Sequence, residues 1–258
     1  MKHTLMKTIF VAAVVAALCS PCTQAAEAAS SSAQESAARA RVAKAEQQSR
    51  ALLAAERNRP RIAGVWQAIA PAKALRTEDG KLPPLNAAGR KAQRARGADP
   101  MELCLPPGTP RILAMEAPFL ITQAPAKVMV FHQARHLVRH IWLDGELKLD
   151  DPDPTWEGIS SGGWQGDTLI IETASFNGKQ WLDAAGLPQS PDMKVTERWH
   201  LADANTLEAQ VTVEDPTFYA KPWTMRASFK RLPDSTELPE EECSEKLLEF
   251  PLKSYAPD

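Results

Sequence analysis

The acid most at odds with its neighbours is Glu197. Two-residue alternation through residues 195–201 (VTERWHL) places it on one strand face with Val195, Trp199 and Leu201. Thr196, Arg198 and His200 take the other face. A carboxylate sent inward must pair, accept hydrogen bonds or stay protonated. Two readings follow: a general acid or base inside a barrel, or an inward acid that fixes a structural network. Arg198 and Asp183 are the partners that would hold its charge state, and Asp183 lies in a loop between strands, where ligand contacts concentrate. Asp167 directly follows Gly166 and reads as a turn or strand cap. Glu214 and Asp215 complete the carboxylates available for sugar hydrolysis, which needs a pair roughly 5–10 Å apart.

Six of the seven tryptophans fall between Trp142 and Trp223. Trp156 and Trp164 flank Gly158, Gly162 and Gly163, and with Trp181 they would form a platform for a sugar ring or a flat aromatic. Indoles packing a long loop onto a barrel end would use the same letters. His132 and His136 oppose each other if the chain turns at residues 133–135, with β-carbons about 5 Å apart, within reach of one metal ion. His140 is displaced by roughly 13 Å along the strand, so no third ligand is identifiable. No metal site is assigned, and this pair stands as the candidate. The glycines match no dinucleotide or phosphate loop, and Ser160 and Ser161 lack a Gly-x-Ser-x-Gly frame. No organic cofactor is expected.

The elements that must position these residues begin after residues 1–26, which read as an export signal. Lys2 and Lys7 give the charged start, residues 9–18 the apolar run, and Ala25 and Ala26 a small-residue cleavage site. The run is too short for about 30 Å of hydrocarbon, so the expectation is a periplasmic or secreted protein without membrane insertion. The net charge of −2 becomes two units more negative once Lys2 and Lys7 are removed. That balance offers no basic face for nucleic acid. Cys104 and Cys243 are then the remaining cysteines, an even pair expected to form a disulfide. Closing a loop of about 140 residues gives about 4–5 kcal/mol on chain-entropy grounds.

Residues 27–59 read as a helical or mobile arm, rich in Ala, Glu, Gln and Arg, and residues 60–258 as one domain. Strand signals occur at 62–69, 117–123, 127–143 (broken by a hairpin), 168–173, 195–201, 207–213 and 223–232. Asp144-Gly145 reads as a turn, residues 71–110 as a long wrap with a short helix within 85–96, and residues 152–167 as too rich in glycine for one regular strand. Many short strands with almost no βα alternation predict a mostly β fold, an antiparallel barrel or closed sandwich with long loops.

The letters resemble a group of uncharacterised exported bacterial proteins. The resemblance runs from Gly64-Val65-Trp66 to Cys243 through residues 104–111 (CLPPGTPR), 154–158 (PTWEG), 166–169 (GDTL), 181–183 (WLD), 196–198 (TER), Asp215-Pro216 with Tyr219, and Pro222-Trp223. It implies that Glu197, Arg198, Asp183, Trp181 and Tyr219 belong to a pocket. Histidines are common in that group where this chain has Lys148, Ile159, Leu187, Gln189 and Lys194, which implies a lost or altered activity here. A looser similarity is to lipocalin-like barrels, whose first-strand Trp (here Trp66) packs on a last-strand Arg (Arg226 or Arg231) to close the base.

The sequence therefore leaves three functions open. One is an exported barrel acting on a small aromatic or sugar-like molecule as a cofactor-independent hydrolase or lyase, with Glu197 as general acid or base. The others are a non-catalytic small-molecule binder and an envelope structural factor.

Overall fold

The computed structural model describes residues 20–143, 153–241 and 243. Residues 1–19 of the expected export signal, the Asp144-Gly145 turn and Lys148 lie outside them. The chain divides into residues 1–55 and 56–258. The first unit is the helix α1, Ser20–Glu56. The expected cleavage site at Ala25 and Ala26 falls within it. Val42 and Leu53 on this helix are 58% and 55% exposed. Among the described residues, no helix is long and apolar enough to cross a membrane.

The second unit is a closed barrel of nine strands. They are β1 (Gly64–Ala68), β2 (Phe119–Ala124), β3 (Lys127–His132), β4 (Val138–Leu143), β5 (Ile159–Gln165), β6 (Thr168–Ala174), β7 (Lys194–Asp203), β8 (Thr206–Glu214) and β9 (Trp223–Arg231). Each strand pairs with its sequence neighbours, and β9 returns to β1. Strict alternation of direction cannot close an odd number of strands. One pair must run parallel, and it is β4 with β5. The expected barrel is antiparallel at every other seam.

Residues 153–167 do not form one regular strand, as expected, but their middle, residues 159–165, is β5. Gly162 permits it, because a side chain there would run into the Ile170 carbonyl and crowd Ile141. The expected hairpin near residues 133–135 is present, as a 3-10 turn over Ala134–His136 in which Arg135 and His136 both take positive φ. The short helix is α2, Ala87–Arg94, capped by the Asn86 side chain on the Gly89 N–H.

The two ends of the barrel differ. At one end β2–β3, β5–β6 and β7–β8 are joined by tight turns at Pro125-Ala126, Gly166-Asp167 and Ala204-Asn205. At the other end sit the insert between β1 and β2, residues 153–158 before β5, the β6–β7 loop and the β8–β9 loop. The disulfide between Cys104 and Cys243 is formed, with α-carbons 5.7 Å apart.

The tight-turn end is closed by Trp66 and Arg231, paired across β1 and β9. The guanidinium carbon lies 4.2 Å from the indole centroid. Its nitrogens donate to the Ala63 and Ala204 carbonyls at 2.8 and 2.9 Å, and the Trp66 N–H donates to the Ile62 carbonyl at 2.9 Å. Gly64 leaves the room that this guanidinium fills. Arg226, the other candidate, pairs outside with Glu78 at 2.7 Å. Arg231→Ala orphans these carbonyls and removes the ring contact, so urea unfolding should show a loss of about 2–3 kcal/mol. An unchanged midpoint would mean that the base closes without it.

Candidate functional site

Strand alternation does send Glu197 inward, and it is fully buried. Its partner is Arg139 of β4, whose pleat turns Arg139, Ile141 and Leu143 into the barrel and Val138 and His140 out. The guanidinium grips the carboxylate with both terminal nitrogens, at 2.5 and 3.2 Å. The Trp199 indole N–H, from the same strand face, donates to the second oxygen at 2.9 Å. Arg139 also donates to the Ser160 hydroxyl at 3.0 Å and the Thr173 hydroxyl at 2.7 Å, and these two hydroxyls lie 3.0 Å apart. Four strands (β4, β5, β6 and β7) thus meet on one buried ion pair.

Next to it lie two titratable groups without hydrogen bonds. Glu157, in the loop entering β5, has both carboxylate oxygens buried and unpartnered among the described residues. Burial pushes its carboxyl up to about 7; Arg139 and the Gly108 peptide N–H oppose that rise, and Glu197 adds to it. The Gly108 group favours the charged form without meeting hydrogen-bond geometry. His132, at the end of β3, is buried with its Nε2 unpartnered among the described residues. Burial, reinforced by Arg139, pushes it down to about 3, so it is neutral at ordinary pH. Its ring packs against Phe119 at a centroid distance of 5.3 Å.

Above Glu157 the loops form a roof. Gly108 takes φ +68°, and any side chain there would collide with the Gln180 amide and the Trp156 carbonyl. Gln180 donates to that carbonyl. Trp181 bridges to Pro188, a register that puts Gln180 opposite Gln189. The Thr109 hydroxyl, the Gln180 carbonyl oxygen and both amide atoms of Gln189 are buried without a partner among the described residues.

The other expected site residues are placed differently. Arg198 is exposed on the outer face of β7, because the alternation that buries Glu197 turns its neighbour out. Arg139, not Arg198, holds the acid. Asp183 is 2% exposed and accepts the Leu75 and Leu187 N–H groups at 2.9 and 3.1 Å. It staples the insert to the β6–β7 loop and lines a groove of about 580 Å³ with Leu75, Met101, Arg111 and Leu182. Asp215 likewise caps backbone, accepting the Ser190 N–H and hydroxyl at 2.8 Å each. Tyr219 is buried, donates to the Pro188 carbonyl at 2.9 Å, and has its pKa raised by burial and by Asp215 and Asp183.

The indoles do not line one slot. Trp156 precedes β5 and Trp164 is the penultimate residue at its far end, so the strand separates them. Trp181 sits in the roof, with the Arg96 guanidinium 5.9 Å from its ring. His132 and His136 are also apart. One points into the barrel, and the other is exposed, its Nε2 accepting the Glu241 N–H at 2.9 Å. No cluster of three or more metal-ligating side chains occurs among the described residues.

No family model and no curated protein matches this chain.

Two predictions follow from this geometry. Arg139→Met alone strands Glu197 and should cost about 3–5 kcal/mol, whereas Arg139→Met with Glu197→Leu should recover most of it. Equal losses in both variants would show that the two residues are not energetically coupled. For Glu157, the folded carboxyl binds its proton more tightly than the unfolded one, near 4.5. The folded state thus carries an extra proton between pH 4.5 and about 7, and stability falls by up to about 3 kcal/mol as pH rises through that window. Glu157→Gln should flatten this slope and exceed the wild type in stability at pH 8. Parallel pH profiles for the two proteins would remove the assignment.

Proposed function

We propose that this protein is an exported barrel that binds a small molecule at its loop-bearing end and catalyses its hydrolysis or elimination, with Glu157 exchanging the proton. The observation that carries the reading is a buried carboxyl without a hydrogen-bond partner among the described residues, set beside a fixed guanidinium. Glu157 can donate when protonated and accept when ionised. Arg139 supplies positive charge where an anion would develop, and Glu197 serves as the residue that positions Arg139. Glu197 itself is already engaged by three N–H donors, which makes it a poor candidate for proton exchange with a ligand. Asp183 holds the roof in place, and neither a metal nor an organic cofactor is needed for this chemistry. Export is supported by the charged and apolar start of the chain, by the motif resemblance to exported bacterial proteins, and by the Cys104–Cys243 disulfide.

A second reading, non-catalytic binding, is favoured by how completely Arg139 is committed to internal partners. Turnover of nitrophenyl glycosides and aryl esters, read alongside tryptophan fluorescence, separates the two. Catalysis predicts that Glu157→Gln loses about 10²–10⁴-fold in turnover while the fluorescence response to ligand persists. Ligand-induced fluorescence changes with no turnover in the wild type would establish the binder instead. Unchanged turnover in Glu157→Gln would end the acid–base role of that residue.

A further inference from the structure

Of the eleven buried side-chain atoms without partners among the described residues, six belong to Thr109, Glu157, Gln180 and Gln189, and the rest to Thr122, His132, Arg135, Trp164 and Trp223. Thr109, Glu157, Gln180 and Gln189 come from three separate segments, yet all lie in the roof over the Arg139–Glu197 pair. Burying a polar group without a partner is unfavourable, and native structures hold few such groups. Here they are sealed so closely that water does not reach the atoms. The closed roof is therefore a strained arrangement that opening or a ligand would relieve. Each of the first two segments carries a glycine at positive φ beside its polar residue: Gly108 before Thr109, and Gly158 (φ +69°) after Glu157.

The unsatisfied set has a chemical bias. Gln180 has spent its amide N–H on the Trp156 carbonyl and keeps an oxygen, Glu157 presents two oxygens, and Thr109 and Gln189 can each both donate and accept. Such a set is complemented by a ligand with several hydroxyl groups. The absence of a shared indole slot argues against a flat aromatic ring.

We infer that the roof formed by Thr109, Glu157, Gln180 and Gln189 is a lid that opens to admit a polyhydroxylated, sugar-like ligand onto Arg139. This rests on the reading that the loop-bearing end takes a small molecule, and it narrows the class of that molecule. Trp156, beside Glu157 in the lid, is a built-in reporter of the movement.

Hydrogen exchange by mass spectrometry on the full chain tests the lid, with glucose, galactose and their methyl glycosides as probes and benzoate as the aromatic comparison. Peptides covering 108–110, 156–158 and 180–190 should exchange at least tenfold faster than β7 and β8, and at least one sugar should slow them several-fold. Roof peptides protected like the strands would overturn the lid. Slowing by benzoate and by no sugar would overturn the ligand class, while leaving the Glu157 reading intact. Thr109→Val provides a readout that an ordinary loop would not move. Removing an unsatisfied hydroxyl should raise Tm by about 2–4 °C while weakening sugar protection. A lowered Tm would show that the hydroxyl is satisfied in solution and would remove the strain on which the lid depends.

Discussion

Arg139 and Glu197 occupy the barrel interior as full charges, and removing two charges from water costs several kcal/mol for each ion. That penalty is met only if geometry is close to ideal, which constrains everything around the pair. Ser160 and Thr173 must present hydroxyls to the guanidinium, and Trp199 must turn its N–H toward the carboxylate. These contacts come from strands far apart in the chain, so the ion pair acts as a register mark. A one-residue slip of β4 or β7 would send one charge to solvent and leave the other alone inside.

The pair also divides the interior. On one side Phe119, Trp199 and Phe229 pack with centroids 5.0 to 6.3 Å apart, an aromatic plug with no free polar edge. His132 packs against this plug through Phe119, while Glu157 and the roof carry polar atoms without partners among the described residues. Most of the buried side-chain atoms without partners among the described residues lie toward the loop-bearing end, while those of Thr122 and Trp164 lie toward the tight turns.

Much of this framework was legible in the letters. The alternation in residues 195–201 correctly buried Glu197, the paired cysteines follow from their even number, and of the two arginines that the lipocalin-like resemblance offered for Trp66, Arg231 makes the contact. Arg139 was readable too. Once the chain turns near residue 134, the pleat that buries Ile141 and Leu143 must bury Arg139. Glu157 left no such trace. It lies in a loop with no repeat to orient it, and its unusual environment comes from burial and from Arg139, Gly108 and Glu197, which are distant in sequence. Glycine content likewise concealed β5, because side-chain propensity gives no signal where the strand needs an absent side chain to fit.

The covalent link between Cys104 and Cys243 encloses eight of the nine strands, β2 through β9, along with the ion pair and Glu157. A protease that cuts once anywhere between those cysteines frees no fragment, since both pieces stay tied through the two sulfurs. A nicked molecule can then keep its barrel assembled by packing alone, without losing either half to diffusion. Such tolerance of cleavage suits a protein whose β1–β2 insert and β6–β7 loop sit at the end that is proposed to open.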